Sequence, residues 1–174
     1  MRKLTKFFAI AIVLISFGAA TFAQVTASAT ATATIITPIA ITKTVDMNFG
    51  NLYVAVATGG TVLLTPESVR TATGGVGFPG TAGTVSAASF TVTGLADATY
   101  SITIPAGPLT ITHDLGTATM TVGTWTSTPT VVAGGVLTGG TQTLNVGATL
   151  NVTAAQLTGL YVSETPFDVT VNYN

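Results

Sequence analysis

The chain has no cysteine, a single histidine, and charged residues at only 6% of its 174 positions. Without thiols there is no disulfide to staple the fold, no thiolate nucleophile and no cysteine to carry a lipid anchor. One imidazole, His113, is too few for a metal centre of the His/Cys kind. Charged residues are scarce against a typical ~25%, and scarcer still on the basic side. Setting aside the first 23 residues leaves only Lys43 and Arg70 against six acidic groups, a net charge of −4. Nucleic acid and anionic membrane surfaces both call for clustered Lys and Arg, so neither is an expected partner. Also missing after residue 24 is any run of apolar residues at helical spacing with caps around it.

Threonine supplies the polarity that charge does not. It is β-branched, suits a pleated surface, and does not titrate. A threonine surface therefore keeps its character across changes in salt and pH. It also gives little protection against edge-to-edge strand pairing, which charged edge residues normally oppose. That is a liability in a soluble monomer and an asset in a subunit that assembles through strands.

Residues 1–23 read as an export signal. Arg2, Lys3 and Lys6 form a basic start, Phe7 to Phe17 an apolar stretch, and Thr21-Phe22-Ala23 a site with small residues for cleavage. The apolar stretch is shorter than the ~20 residues a membrane span needs. The mature chain is then expected to be exported through the periplasm to the cell surface or beyond, with no membrane segment of its own. From Gln24 to Asn174 it is long enough for one domain with its own core.

The mature part opens on a long alternation. Val25, Ala27, Ala29, Ala31, Ala33 and Ile35, then Ile39, Ile41, Val45, Met47 and Phe49, share one parity, with mostly Thr, Ser, Asp or Asn between them. Period two marks a strand with one buried face. At ~3.3 Å per residue the whole run would span roughly 80 Å. A compact body of this size is only about 36 Å across. Pro38 is the natural break, since it cannot donate to a ladder and restricts Thr37 before it. Residues 24–37 are thus expected to form an extension strand whose partner lies elsewhere, and residues 38–174 the body.

Short alternating runs separated by Gly, Pro, Asp and Thr fill the remainder, the pattern of an all-β sandwich or barrel. Gly60–Leu64 reads as a short strand and residues 74–83 as a mobile glycine-rich loop. Ser86–Thr93 and the strand carrying Tyr100, Ile102 and Ile104 are expected to form a hairpin around Gly94–Asp97. Leu109–His113 and Thr117–Trp125 are expected to pair around Asp114-Leu115-Gly116, with a bulge at Gly123 turning Trp125 inward. Leu144, Val146, Ala148, Leu150 and Val152 form one clean face, and Phe167, Val169, Val171 and Tyr173 close the chain with another.

Residues that could carry chemistry are few. His113 and Asp114 are neighbours in a turn, Ser101 and Asp168 have no motif linking them to His113, and bland turn and surface roles outweigh a catalytic one. Asp46, Asn48 and Asn51 offer oxygens, but without the glycine-centred acidic loop of a calcium site they read as turn and cap residues. No catalytic, metal or cofactor site is expected, and the chain is not read as an enzyme.

Several short motifs point to a family. Met47-Asn48-Phe49-Gly50 ends the first body segment, Phe90-Thr91-Val92-Thr93-Gly94 leads to Tyr100-Ser101-Ile102-Thr103, and Val146-Gly147-Ala148-Thr149-Leu150 precedes Gly159-Leu160-Tyr161. With the closing Phe167–Tyr173 run, this order resembles the archaic chaperone–usher pilins and spore-coat U proteins, and an uncharacterised family of secreted bacterial domains. The resemblance implies an incomplete immunoglobulin-like β-sandwich, completed when the N-terminal extension of another subunit enters its groove. On that basis Val25, Ala27, Ala29, Ala31, Ala33 and Ile35 would be the donor strand. Phe167, Val169, Val171 and Tyr173 would line the acceptor and first meet a periplasmic chaperone. Implied partners are copies of the chain or homologous subunits, with a chaperone and an outer-membrane usher.

Two departures stand out: pilins often carry a disulfide, and their donor strands use larger plugs. Four alanines in place of valine-sized plugs forgo roughly 6 kcal/mol of apolar burial at ~0.8 kcal/mol per carbon. The competing reading is a monomeric secreted binding module, or a coat or matrix protein, with the extension paired inside its own domain.

Overall fold

The computed structural model describes residues 24–174; the expected export signal, residues 1–23, lies outside the described residues. Among the described residues the chain is all-β, with thirteen strands, no α-helix and a single 3-10 turn at Thr138–Gly140. In chain order the strands are β1 (Ala40–Val45), β2 (Tyr53–Val54), β3 (Gly60–Leu64), β4 (Arg70–Gly74) and β5 (Val76–Gly77). They continue with β6 (Ala88–Thr93), β7 (Thr99–Thr103), β8 (Leu109–His113) and β9 (Thr119–Thr128). The last are β10 (Gly135–Val136), β11 (Thr141–Val152), β12 (Tyr161–Val162) and β13 (Thr170–Tyr173).

β11 is the spine. Its alternation places Leu144, Val146, Ala148, Leu150 and Val152 on one buried face. Along one edge its first half pairs with β6 and its second half with β3, end to end; the other edge pairs with β9. The large antiparallel sheet then extends through β1 beyond β6, β4 beyond β3, and β8 and β12 beyond β9. A second sheet, ordered β10-β7-β13, packs over the β6 end of the spine, and the ribbon β2-β5 contributes to the β3 end. The result is an antiparallel β-sandwich.

The inner face carries two apolar clusters joined along the spine. One gathers Phe90, Val92, Tyr100, Ile102, Leu137, Leu144, Val146 and Val171; the other gathers Val62, Val76, Met120, Val122, Ala148, Leu150 and Val152. Trp125 touches both, and its indole N–H donates to the Gly107 carbonyl at 2.9 Å. The outward face is almost wholly hydroxyl and amide. Thr42 stands opposite Thr91 and Thr91 opposite Thr143, while Thr73, Thr61, Asn151, Thr121 and Thr110 form one rank across five strands. Such cross-strand Thr pairs stabilise the sheet by a few tenths of a kcal/mol or more each.

Several expectations hold. Leu109–His113 pairs with β9 across the Asp114-Leu115-Gly116 turn, and Trp125 faces the core. Others need correction. β6 and β7 are not a hairpin: β6 lies in the large sheet and β7 in the small one, so Gly94–Ala98 is a sheet-to-sheet crossing. That crossing is held by Asp97 N–H to Leu137 C=O at 2.7 Å and Gly94 N–H to Gly140 C=O at 3.0 Å. The bulge in β9 falls on Thr124 and Trp125, opposite the step from Gly147 to Thr149, with Thr124 at φ +49° and Gly123 still paired. In β1 the register shifts between Lys43 and Val45, so Val45 leaves the parity of Ile39 and Ile41 and is largely exposed.

The glycine-rich segment 74–83 is not loose throughout. Val76 is buried, and Phe78 lies under the Arg70 guanidinium, 4.0 Å from its carbon. Arg70 also donates to the carbonyls of Phe49 at 2.6 Å and Asn51 at 2.8 Å, so one cation ties β4 to the β1–β2 loop and, through Phe78, to the segment after β5.

Gly147 lies at the seam where β6 gives way to β3 on the spine's edge. A Cβ there would stand 2.9 Å from the Pro66 nitrogen and press on the Leu64 carbonyl, both backbone atoms. Gly147→Ala is therefore expected to cost about 1–3 kcal/mol, the range for overpacking. Thr143→Ala on the outward face should stay within about 0.5 kcal/mol. Urea denaturation of the two variants checks the contrast.

Candidate functional site

The terminal strand β13 is the edge of the small sheet, paired with β7 alone: Thr170 opposite Thr103, Val171 opposite Ile102, Asn172 opposite Ser101, Tyr173 opposite Tyr100. The Asn174 N–H to Thr99 C=O bond, 3.3 Å, sets the phase of this ladder. In an antiparallel pair the bonded positions alternate, so Thr170, Asn172 and Asn174 turn toward β7. Val171 and Tyr173 turn their N–H and C=O groups to the open side, where no main-chain partner stands among the described residues.

Side chains of the same residues complete the inner face. Val171 is buried in the first cluster, with Val169, Phe167 and Tyr173 packed against it. Phe167 precedes the strand proper and wedges against Trp125 and Phe90, with ring centroids 4.7 and 6.4 Å away. From the large sheet, Ile39 and Ile41 pack on the same cluster, and β1 approaches β13. The open edge of β13 is thus flanked by the first strand of the body. The paired part of that edge runs about 10 Å from Thr170 to Tyr173 at ~3.3 Å per residue.

Tyr173 fixes one end of this opening. Its phenol accepts the Leu95 N–H at 2.6 Å and donates to the Thr37 carbonyl at 2.8 Å. One hydroxyl so joins the last strand, the sheet-to-sheet crossing and the residue just ahead of β1. A closing tyrosine was visible in the sequence; its two partners, 78 and 136 residues away, were not.

Ahead of Pro38 the described chain is different. Residues 24–38 are exposed, and no strand is assigned before Ala40. Val25 and Ile35 are more than nine-tenths exposed, although their alternation is that of a half-buried strand.

The other candidate residues take structural roles. In His113, Nδ1 accepts the Leu115 N–H at 3.1 Å and Nε2 faces the Thr158 carbonyl at 3.0 Å, while the Tyr161 ring stands edge-on 5.1 Å away. Through these two contacts the imidazole pins the 153–160 loop to β8. Asp114 lies 3.6 Å from Nδ1 and lines an open cleft of about 420 Å³ with Thr112, Ser163 and Glu164. Ser101 and Asp168 are not part of it: Ser101 belongs to β7 and donates to the Asn172 carbonyl, and Asp168 precedes β13. Asp46 pairs with Lys43 at 2.6 Å, Asn48 accepts the Gly50 N–H at 2.8 Å, and Asn51 donates to the Thr81 carbonyl at 3.2 Å.

The fold and its edge define a class: a low-charge β-sandwich whose terminal strand, among the described residues, is unpaired on one side. Residues 39–173 match the family model described as a domain of unknown function (DUF4402), and the chain belongs to that family. No curated protein and no solved structure matches it.

Tyr100, on the strand that holds β13, is fully buried and donates its phenol proton to Gln142 Oε1 at 2.8 Å. Burial raises its pKa above the ordinary value of 10.0, because the phenolate loses its water. A folded-state pKa above the unfolded one means that the folded chain holds its proton more tightly. This stabilisation is present below the unfolded value and is lost as pH rises through the folded one. Stability is expected to fall above about pH 10, and less steeply in Tyr100→Phe, as alkaline thermal melts would measure.

Proposed function

We propose that the chain is the structural subunit of an extracellular, pilus-like fibre. The arm Val25–Ile35 of one copy adds as a strand to the open edge of β13 in the next, completing that sandwich by donor-strand complementation. One observation carries the reading. Among the described residues, the same chain holds a terminal strand with unpartnered main-chain groups and an exposed segment of strand-like alternation with no ladder of its own.

The sizes agree. Ten residue steps from Val25 to Ile35 extend to roughly 33 Å, enough to cover the ~10 Å edge with length to spare. The alanines suit an opening whose floor is already filled: Phe90, Tyr100, Leu144 and Val171 occupy the cluster beneath it. Small plugs then need shallow pockets only. The main-chain ladder contributes about 0.5–1.5 kcal/mol net per bond, and Val25 and Ile35 offer larger anchors at the two ends.

In this role the chain works outside the cell, exported through the periplasm, and serves adhesion or biofilm structure rather than catalysis. Its partners are further copies or homologous subunits. An open edge is an aggregation hazard until a neighbour's arm arrives, which is the task of a periplasmic chaperone at Phe167–Tyr173, followed by an outer-membrane usher.

Deleting Gln24–Ile36 is expected to leave a folded body that forms no filaments by electron microscopy. Added synthetic arm peptide should bind that body and raise its melting temperature. Filaments from the deleted chain would end the proposal.

A further inference from the structure

We infer that the root of the arm, Thr34-Ile35-Ile36-Thr37-Pro38, is a stiff spacer that keeps the arm off its own body's edge and so commits it to a second copy; this rests on the strand-donation reading above. A segment tethered by a short flexible linker faces its own acceptor at millimolar effective concentration. Subunits in solution meet at micromolar concentration. A flexible arm would therefore fill its own edge about a thousandfold more readily than a neighbour's, and no fibre would grow. The tether escapes this only if it cannot make the turn.

Both the chemistry and the anchoring of this root oppose the turn. Tyr173 holds the Thr37 carbonyl at 2.8 Å, at the end of β13, so the chain ahead of Thr37 can line that strand only by reversing at once. The tight reversals that lay one strand beside another, types I′ and II′, draw on Gly, Asn or Asp to supply positive φ. None of these occurs between Gln24 and Pro38. Instead Thr34, Ile35, Ile36 and Thr37 are all β-branched, and Pro38 locks its own φ and holds Thr37 extended. Tyr173 is thus a positioning residue: it sets where the arm leaves the body.

The test compares the mature chain, Gln24 to Asn174, with two insertions between Ile36 and Thr37, both of which retain the Tyr173 contact. One insertion is Gly-Ser-Gly-Asn-Gly-Ser, which turns freely; the other is Thr-Pro-Thr-Pro-Thr-Pro, equally long but extended. Sedimentation across a concentration series and thermal melts are the readouts, with the arm-deleted body as reference. The flexible form is expected to stay monomeric to at least tenfold higher concentration than the wild type, while melting above the arm-deleted body. The proline form should assemble as the wild type does. Assembly of the flexible form at the wild-type concentration would overturn the spacer and leave strand donation standing. So would a flexible monomer that melts like the arm-deleted body, because its arm is then docked nowhere. A wild-type chain that is monomeric throughout and melts like the arm-deleted body would overturn strand donation, and the spacer with it.

Discussion

The burial of one face of β11 is the constraint on which the remaining structure depends. Leu144, Val146, Ala148, Leu150 and Val152 reach from one apolar cluster into the other, and three strands take their register from this one. A one-residue slip would turn all five side chains to solvent and bring Thr143, Asn145 and Thr149 inward. That penalty fixes β6, β3 and β9, and through them the outer strands. Because both clusters share the spine, neither has a core to itself, and the sandwich behaves as one body from Ile36 to Asn174.

Against this rigid centre the terminal strand stands out. β13 is secured by its inward side chains and by a single ladder, and the other side of its backbone has no partner among the described residues. Sequence composition deepens the contrast. The neighbouring strands present Thr, Ala and Ser, with Lys43 and Asp46 paired to one another. Little charge is therefore available to ward off another strand.

Much of the fold was legible because alternation reports which face of a strand is buried. The five apolar positions of β11 and the pairing of β8 with β9 follow from it directly. Alternation does not report which strand lies alongside. Gly94-Leu95-Ala96-Asp97 serves a hairpin and a sheet-to-sheet crossing equally well, and long-range bonds to Leu137, Gly140 and Tyr173 decide for the crossing. Val45 escaped for a related reason: a register shift moves a residue across the sheet without changing its chemistry. The carbonyls gathered by Arg70 left no trace in the pattern, although the rarity of cations in this chain was a hint. At the candidate site, the inward faces of Phe167–Tyr173 could be read from parity. The open edge could not, since edges lie at right angles to faces and depend on how all strands are ordered.

The junction at Thr37 also has a mechanical side. β1 begins three residues later and pairs with β6 at five positions, while the Tyr173 phenol grips the chain just ahead of it. A pull along the axis of β1 loads the whole ladder in shear, so its bonds resist together instead of peeling one by one. The place where the chain leaves its body is therefore also a place suited to bearing tension.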